Sequence, residues 1–420
     1  MHVFSVSRSK GPGEGVAAAS PEDDFLLSAA RAYFLGGTDP AARLAVSGAL
    51  DWSLIGEKAE AHGLLPLLMR QIEGGCPDAF PAAGLESLRR RFSGHELRML
   101  LMARELIRLL DLLDARGLRA IPFKGPALAA FLYGDPAMRR SDDLDLLIRE
   151  QDFWGVSEAL ESQGFLRHPP ITRRQMAAYS RSECDMTFAH GASGLRVEVH
   201  WALVPPYHGQ RIPAAQLWER LETAQFLDRT IPMLSAEDHL TALCLHAAKH
   251  MWRRLEWICG VVALLVRARP PDLELAFRRA RSWGSERVLL LGLQLARELT
   301  GMTLPAQAPS RIQCTQSVEA VAREVWSGLF REATPGFVEL TRFRLKLSDR
   351  LSDRIRYCVN RALLPSYEDL GCVQLPGPLS YLYFLVRPAR LTFAWARGTF
   401  TRRGGRLVSG PAHPARKGSC

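Results

Sequence analysis

Asp143 and Asp145 stand two residues apart in the segment Arg139-Arg140-Ser141-Asp142-Asp143-Leu144-Asp145-Leu146-Leu147-Ile148. In an extended chain, alternation puts both carboxylates on one face, about 6–7 Å apart. At an effective dielectric near 20 they repel by about 2–3 kcal/mol, in addition to the cost of burying either charge. A divalent cation removes that penalty, so Mg²⁺ (or Mn²⁺) is the first chemistry these residues suggest. Upstream, the apolar run Ile121-Pro122-Phe123 ends in Lys124-Gly125-Pro126. A Lys-Gly turn entering a helix offers backbone donors and a positive charge suited to phosphate.

A third carboxylate arises further on. Residues 184–190 and 195–201 flank Gly191-Ala192-Ser193-Gly194, a β-hairpin signal. Arg196, Glu198 and His200 fall on one face of its second strand, Val197 and Val199 on the other. Two carboxylates at i, i+2 and a third on a neighbouring strand form the arrangement used in two-metal phosphoryl chemistry. His246, Lys249 and His250 then occupy i, i+3 and i+4, one face of a helix.

Each residue also has a plainer reading. Asp143 and Asp145 alone would pass for surface acids at a strand edge, and Arg196 with Glu198 for an exposed ladder pair. His200 is assigned to the shell around the carboxylates rather than to direct ligation. His246 and His250 have a spacing that suits zinc, but no third ligand accompanies them, so a packed or phosphate-facing helix is preferred. Lys249 would reach a triphosphate or be solvated. Arg139 would contact phosphate or pair with Asp142 or Asp143, and Asp142 itself reads as a loop residue.

The ordered set resembles the bacterial family of uncharacterised nucleotidyltransferases, within the nucleotidyltransferase superfold. The resemblance is carried by Lys124-Gly125, Arg139 four residues before Asp143-Leu144-Asp145, Glu198-Val199-His200-Trp201, and His246-Ala247-Ala248-Lys249-His250. It extends from about Asp51 to Val266. It implies that Asp143, Asp145 and Glu198 are catalytic metal carboxylates. It also implies that Lys124, Gly125, Arg139 and Lys249 meet the nucleotide's phosphates, with His200, His246 and His250 behind them. Two departures stand out. The Gly-Ser pair of the wider superfold is Gly125-Pro126 here, so no serine hydroxyl is offered, and no aspartate occurs near Trp257-Ile258-Cys259-Gly260.

The elements that must position these residues follow from periodicity. Residues 1–20 read as a flexible leader, and 21–115 as a helical region with helices over Glu22–Gly36, Asp51–Glu73 and Leu85–Asp114. Residues 116–205 read as the α/β core, with strands at 118–124, 143–149 and 165–167 and the hairpin above. Residues 206–235 form a wrapping linker, irregular from Pro205 to Pro232. Helices fill 236–370, beginning at the cap Ser235-Ala236-Glu237-Asp238. Residues 371–420 are a basic Gly/Pro-rich tail. The expected fold is therefore α/β (α+β), a small mixed sheet embedded between N- and C-terminal helical regions.

At 420 residues the chain can bury a large core. Eight cysteines scattered without metal-knuckle spacing suit a reduced, cytoplasmic setting. No apolar stretch is long enough to span a bilayer, although the C-terminal Trp/Phe/Arg mixture leaves weak surface attachment open. The formal charge of +10 attracts polyanions in general, but the basic residues form no aromatic-interleaved stripe, so nucleic acid is not the expected partner. The expected function is metal-dependent transfer of a nucleoside monophosphate from an NTP to an unidentified small-molecule, peptide or protein acceptor, releasing pyrophosphate. The alternatives are a phosphotransferase or protein-modifying transferase, and a non-catalytic nucleotide-binding or scaffolding protein.

Overall fold

A computed structural model describes residues 20–35, 50–75, 77–303, 316–331, 333, 335–365, 369–370, 375, 379 and 382–396. The expected leader, apart from residue 20, and the tail beyond residue 396 lie outside them. The N-terminal region is helical: α1 (Pro21–Leu35), α2 (Trp52–Ala61), α3 (Leu65–Glu73) and α4 (Ala82–Asp114). Asp51 caps α2 by accepting from the Ser53 and Leu54 amides. One face of α4, including Leu88, Met99, Leu106, Leu109 and Leu113, enters the main core, and the chain leaves the helix through Gly117 at φ +70°.

The core follows as β1 (Ile121–Pro122), α5 (Gly125–Tyr133), β2 (Leu144–Leu147), α6 (Phe153–Glu161), β3 (Phe165–His168), α7 (Arg173–Tyr179), β4 (Asp185–His190) and β5 (Arg196–His200). These strands form one five-stranded mixed sheet in the order β1-β2-β5-β4-β3. β2 runs parallel to β5, and the other pairings are antiparallel. Leu144, Leu146, Val197, Val199, Met186 and Phe188 point into the core from one face, which leaves the alternate residues for the other. This is the α/β architecture expected from the sequence, with the sheet held among helices.

Residues 205–232 depart from the irregular course expected of them. They contain α8 (Ala214–Glu219) and a two-stranded antiparallel sheet, β6 (Glu222–Phe226) with β7 (Arg229–Met233). The turn between the strands is Leu227-Asp228, with Leu227 in the left-handed region at φ +53°. Glycine or asparagine normally marks such a turn, so the usual sequence signal is missing.

Helices resume with α9 (Ala236–Lys249), α10 (Leu255–Val266), α11 (Leu273–Trp283), α12 (Glu286–Thr300), α13 (Gln316–Gly328), α14 (Phe337–Leu347), α15 (Leu351–Leu363) and α16 (Tyr383–Ala396). Ser235 caps α9, its hydroxyl accepting from the Asp238 amide at 3.3 Å. The last of these helices falls where only tail was expected.

Candidate active site

Lys124 ends the β1 segment and is the N-cap of α5. Gly125 follows at φ +64°, and a Cβ there would lie 3.4 Å from Ser141 Oγ and 3.5 Å from the Asp143 carbonyl oxygen. The glycine is thus required by conformation, and it lets the turn approach the segment that carries the aspartates. The Ser141 hydroxyl donates to that same Asp143 carbonyl at 2.7 Å, tying down the entry to β2. Asp143 sits one residue before the strand, and Asp145 lies inside it.

The register decides which acids meet. Asp145 pairs directly with Glu198 across the parallel β2–β5 ladder, and Asp185 pairs with His200 across β5–β4. Three adjacent strands therefore present Asp145, Glu198, His200 and Asp185 on one face. Lys124 Nζ donates to Asp145 Oδ1 at 2.5 Å. His200 Nε2 lies 3.0 Å from the same oxygen and 3.4 Å from Glu198 Oε2. On its other side, His200 Nδ1 is buried without a hydrogen-bond partner, 3.7 Å from Asp185 Oδ2.

The electrostatics follow from this packing. Burial opposes ionisation of Asp145, whose side chain is only 3% exposed, but Lys124 and His200 outweigh it and hold the carboxyl below its usual range. Glu198 is likewise held low, with the His200 hydrogen bond overcoming burial and the repulsion of Asp145. Burial and Lys124 push His200 down, yet its contacts to Asp145 and Glu198 prevail and raise it to about 8. Asp143 has weaker support. Burial, then Asp145 and Glu198, push it up to about 7 against the opposing pull of Lys124 and of Arg196, whose guanidinium stands 3.9 Å away. The cluster thus holds one carboxylate more than its own cations neutralise.

Lys249 approaches the acids, and Arg139 approaches His246 beside it. Arg139 is 7% exposed, and among the described residues its guanidinium makes a 3.5 Å donation to the Arg140 carbonyl. It does not pair with Asp142, which instead meets Arg140 at 3.3 Å and Arg98 at 3.4 Å. Lys249, in the last turn of α9, is desolvated but kept protonated by Asp185 and Glu198. His246 and His250 pack with ring centroids 5.0 Å apart against Trp257. Burial, together with Lys124 and its neighbouring cations, keeps both imidazoles neutral at pH 7, and His250 is lowered to about 3. Among the described residues no third donor joins them in a metal-binding group.

The structure thus gathers Lys124, Gly125, Asp143, Asp145, Glu198 and His200 around one point. It brings Arg139, His246, Lys249 and His250 to the same charged surroundings. Asp185 was missed in the sequence. Its signal was available in the hairpin, because counting outward from the Gly191–Gly194 loop places it opposite His200.

The donor set fits a divalent cation. Oxygen or nitrogen atoms of Asp145, Glu198 and His200 lie within 4.8 Å of one another. Carboxylates are the hard ligands that Mg²⁺ and Mn²⁺ require, and the excess charge at Asp143 calls for a cation.

A parallel-paired acidic cluster with Lys124 and Lys249 beside it is suited to phosphoryl chemistry. Comparison with known families agrees: the profile described as uncharacterised nucleotidyltransferase matches residues 48–301. The chain belongs to that family. No curated protein and no solved structure matches it.

Proposed function

We propose that this chain transfers a nucleoside monophosphate from an NTP to a hydroxyl or phosphate acceptor, with a divalent cation bound by Asp143, Asp145 and Glu198. The observation that carries the reading is the direct pairing of Asp145 with Glu198, with Asp143 at the strand entrance and left short of positive charge. In the reaction an acceptor oxygen forms a bond to the α-phosphorus, the α-phosphorus–oxygen bond to the β-phosphate breaks, and pyrophosphate leaves. A cation held by Asp143, Asp145 and Glu198 would supply a lowered pKa for the attacking hydroxyl and offset charge on the phosphate oxygens.

The chain's own groups complete the site. Glu198 would position a second metal ion or act as base toward the acceptor. Lys124, already within 2.5 Å of Asp145, can swing its ammonium between that carboxylate and a phosphate oxygen. Arg139, buried, and Lys249, half-buried, form no ion pair within 4 Å among the described residues, and they would suit the β- and γ-phosphates. His200 steadies Asp145 and Glu198 through its Nε2. The proposed setting is cytoplasmic, and among the described residues no helix is long and apolar enough to cross a membrane.

Calorimetry of each NTP with and without Mg²⁺, on the wild type and on Asp143→Asn/Asp145→Asn, tests the proposal. Binding that needs both the metal and the carboxylates is expected. Well-folded wild type that binds no NTP would overturn it.

A further inference from the structure

Helix α15 has two faces with different fates. Its inner face carries Asp353 and Tyr357, both buried. Tyr357 meets Tyr207 with ring centroids 6.3 Å apart, and Arg361 lies over the Tyr207 ring at 5.5 Å. Its outer face carries Leu351, Ile355, Val359 and Leu363, which are 70%, 57%, 47% and 42% exposed. They recur every four residues, so they form one row about 18 Å long on the helix. The neighbouring helix α16 adds Leu385 at 67% exposure. Single exposed aliphatics are ordinary on a soluble surface, but an aligned row of four needs an explanation.

Charge identifies the occupant. From Phe337 to the C-terminus the sequence carries fifteen Lys/Arg against five Asp/Glu, which accounts for the whole formal excess of +10. The preceding 336 residues are therefore balanced, with thirty-nine of each sign. Arg350 and Arg356 flank the aliphatic row, with Arg354 half-buried beside it, whereas Arg361 stacks inward on Tyr207 and Phe337, and the helix's own acid, Asp353, points inward. An apolar stripe bordered by arginines matches the boundary between anionic headgroups and acyl chains.

We propose that the outer face of α15 docks on an anionic phospholipid surface, lying on the membrane rather than crossing it. Because the inner face of the same helix packs on Tyr207, and Arg344 of α14 reaches the Lys249 carbonyl at 3.3 Å, docking would hold the transferase site at a fixed orientation near that surface.

Vesicle co-sedimentation of the full chain tests this. Wild type should pellet with phosphatidylserine–phosphatidylcholine vesicles about tenfold more than with pure phosphatidylcholine, and high salt should weaken the binding. Ile355→Glu/Val359→Glu should lose it while keeping the wild-type unfolding midpoint, since both side chains are exposed. Failure of wild type to bind either vesicle would overturn the proposal, as would undiminished binding by the double variant. A wild-type dimer that the double variant dissociates, with no lipid binding, would assign the face to a second copy. Retention on immobilised polyglutamate without vesicle binding would assign it to an acidic protein.

Discussion

Replacing Asp143 by asparagine should stabilise the metal-free protein while abolishing its ability to bind metal and nucleotide. Asp143 is an acid whose folded pKa is raised, from 3.8 to about 7, by burial and then by Asp145 and Glu198. The unfolded chain gives up this proton first, so the charge weakens the fold progressively as pH rises from 3.8 towards 7, and the full penalty applies above that. At 1.36 kcal/mol for each pKa unit, a shift of about three units sets a ceiling near 4 kcal/mol. The side chain is 24% exposed and Arg196 stands 3.9 Å away, so screening reduces the expected gain to about 1–3 kcal/mol.

Urea unfolding in EDTA is the assay. At about pH 8 the variant should exceed wild type by that amount, and at about pH 4 the difference should vanish. Saturating Mg²⁺ should reverse the order, because ligand at about a thousandfold its Kd adds about 4.1 kcal/mol to wild type and nothing to a variant that cannot bind it. An Asp143→Asn protein less stable than wild type in EDTA at about pH 8 would refute the reasoning. It would mean that Asp143 is a satisfied structural acid and not the uncompensated member of the cluster.

Three other outcomes follow from the same geometry. Lys249→Met should weaken NTP binding by about 1.5–3 kcal/mol, the range for a charge-assisted hydrogen bond, with Lys249→Arg recovering part of it in calorimetry. Gly125→Ala forces an L side chain to φ +64° beside Ser141; unfolding should show a loss of about 1–2 kcal/mol and calorimetry weaker nucleotide binding. His62, 8% exposed and lowered to about 4 by burial, remains neutral while the unfolded chain protonates below 6.5. Stability should therefore fall by up to about 3 kcal/mol between pH 6.5 and 4, and His62→Gln should show a flatter dependence over that window.

The sequence discloses most clearly the features that depend on short-range pattern. The Asp143/Asp145 alternation, the Lys124-Gly125 turn, the Ser235 cap and the Gly-bounded β4–β5 hairpin all carry their signals within a few residues. Features set by distant partners were hidden. Nothing local announces that β2 takes β5 as its parallel neighbour, and only that pairing brings Asp145 opposite Glu198. Lys124 finds Asp145 across an intervening helix, so its role was legible as a charge near phosphate but not as the counter-ion of a carboxylate. The β6–β7 hairpin was concealed by Leu227, whose positive φ is enforced by the pairing on either side and not by its own preference.

The helical regions serve the site through one strained turn. Met251 and Trp252, immediately after α9, both adopt the left-handed region at φ +55° and +54°, a conformation that costs about 1–2 kcal/mol for each non-glycine residue. The turn reverses the chain between Lys249 and α10, so that Trp257 packs against His246 and His250. Burial offsets the strain, because Trp252 and Leu255 are wholly enclosed. The N-terminal region braces the far side: the Glu256 amide donates to the His62 carbonyl at 3.1 Å, and the Leu255 amide to His62 Nδ1 at 3.4 Å. Gly63 is needed there as well, since a Cβ would stand 2.0 Å from Glu256 Oε2. The first helices of the chain thus hold the turn that follows α9 and Lys249, and on the proposed function they would bear on nucleotide binding through it. Loosening that brace should lower nucleotide affinity even where every charged residue of the site is retained.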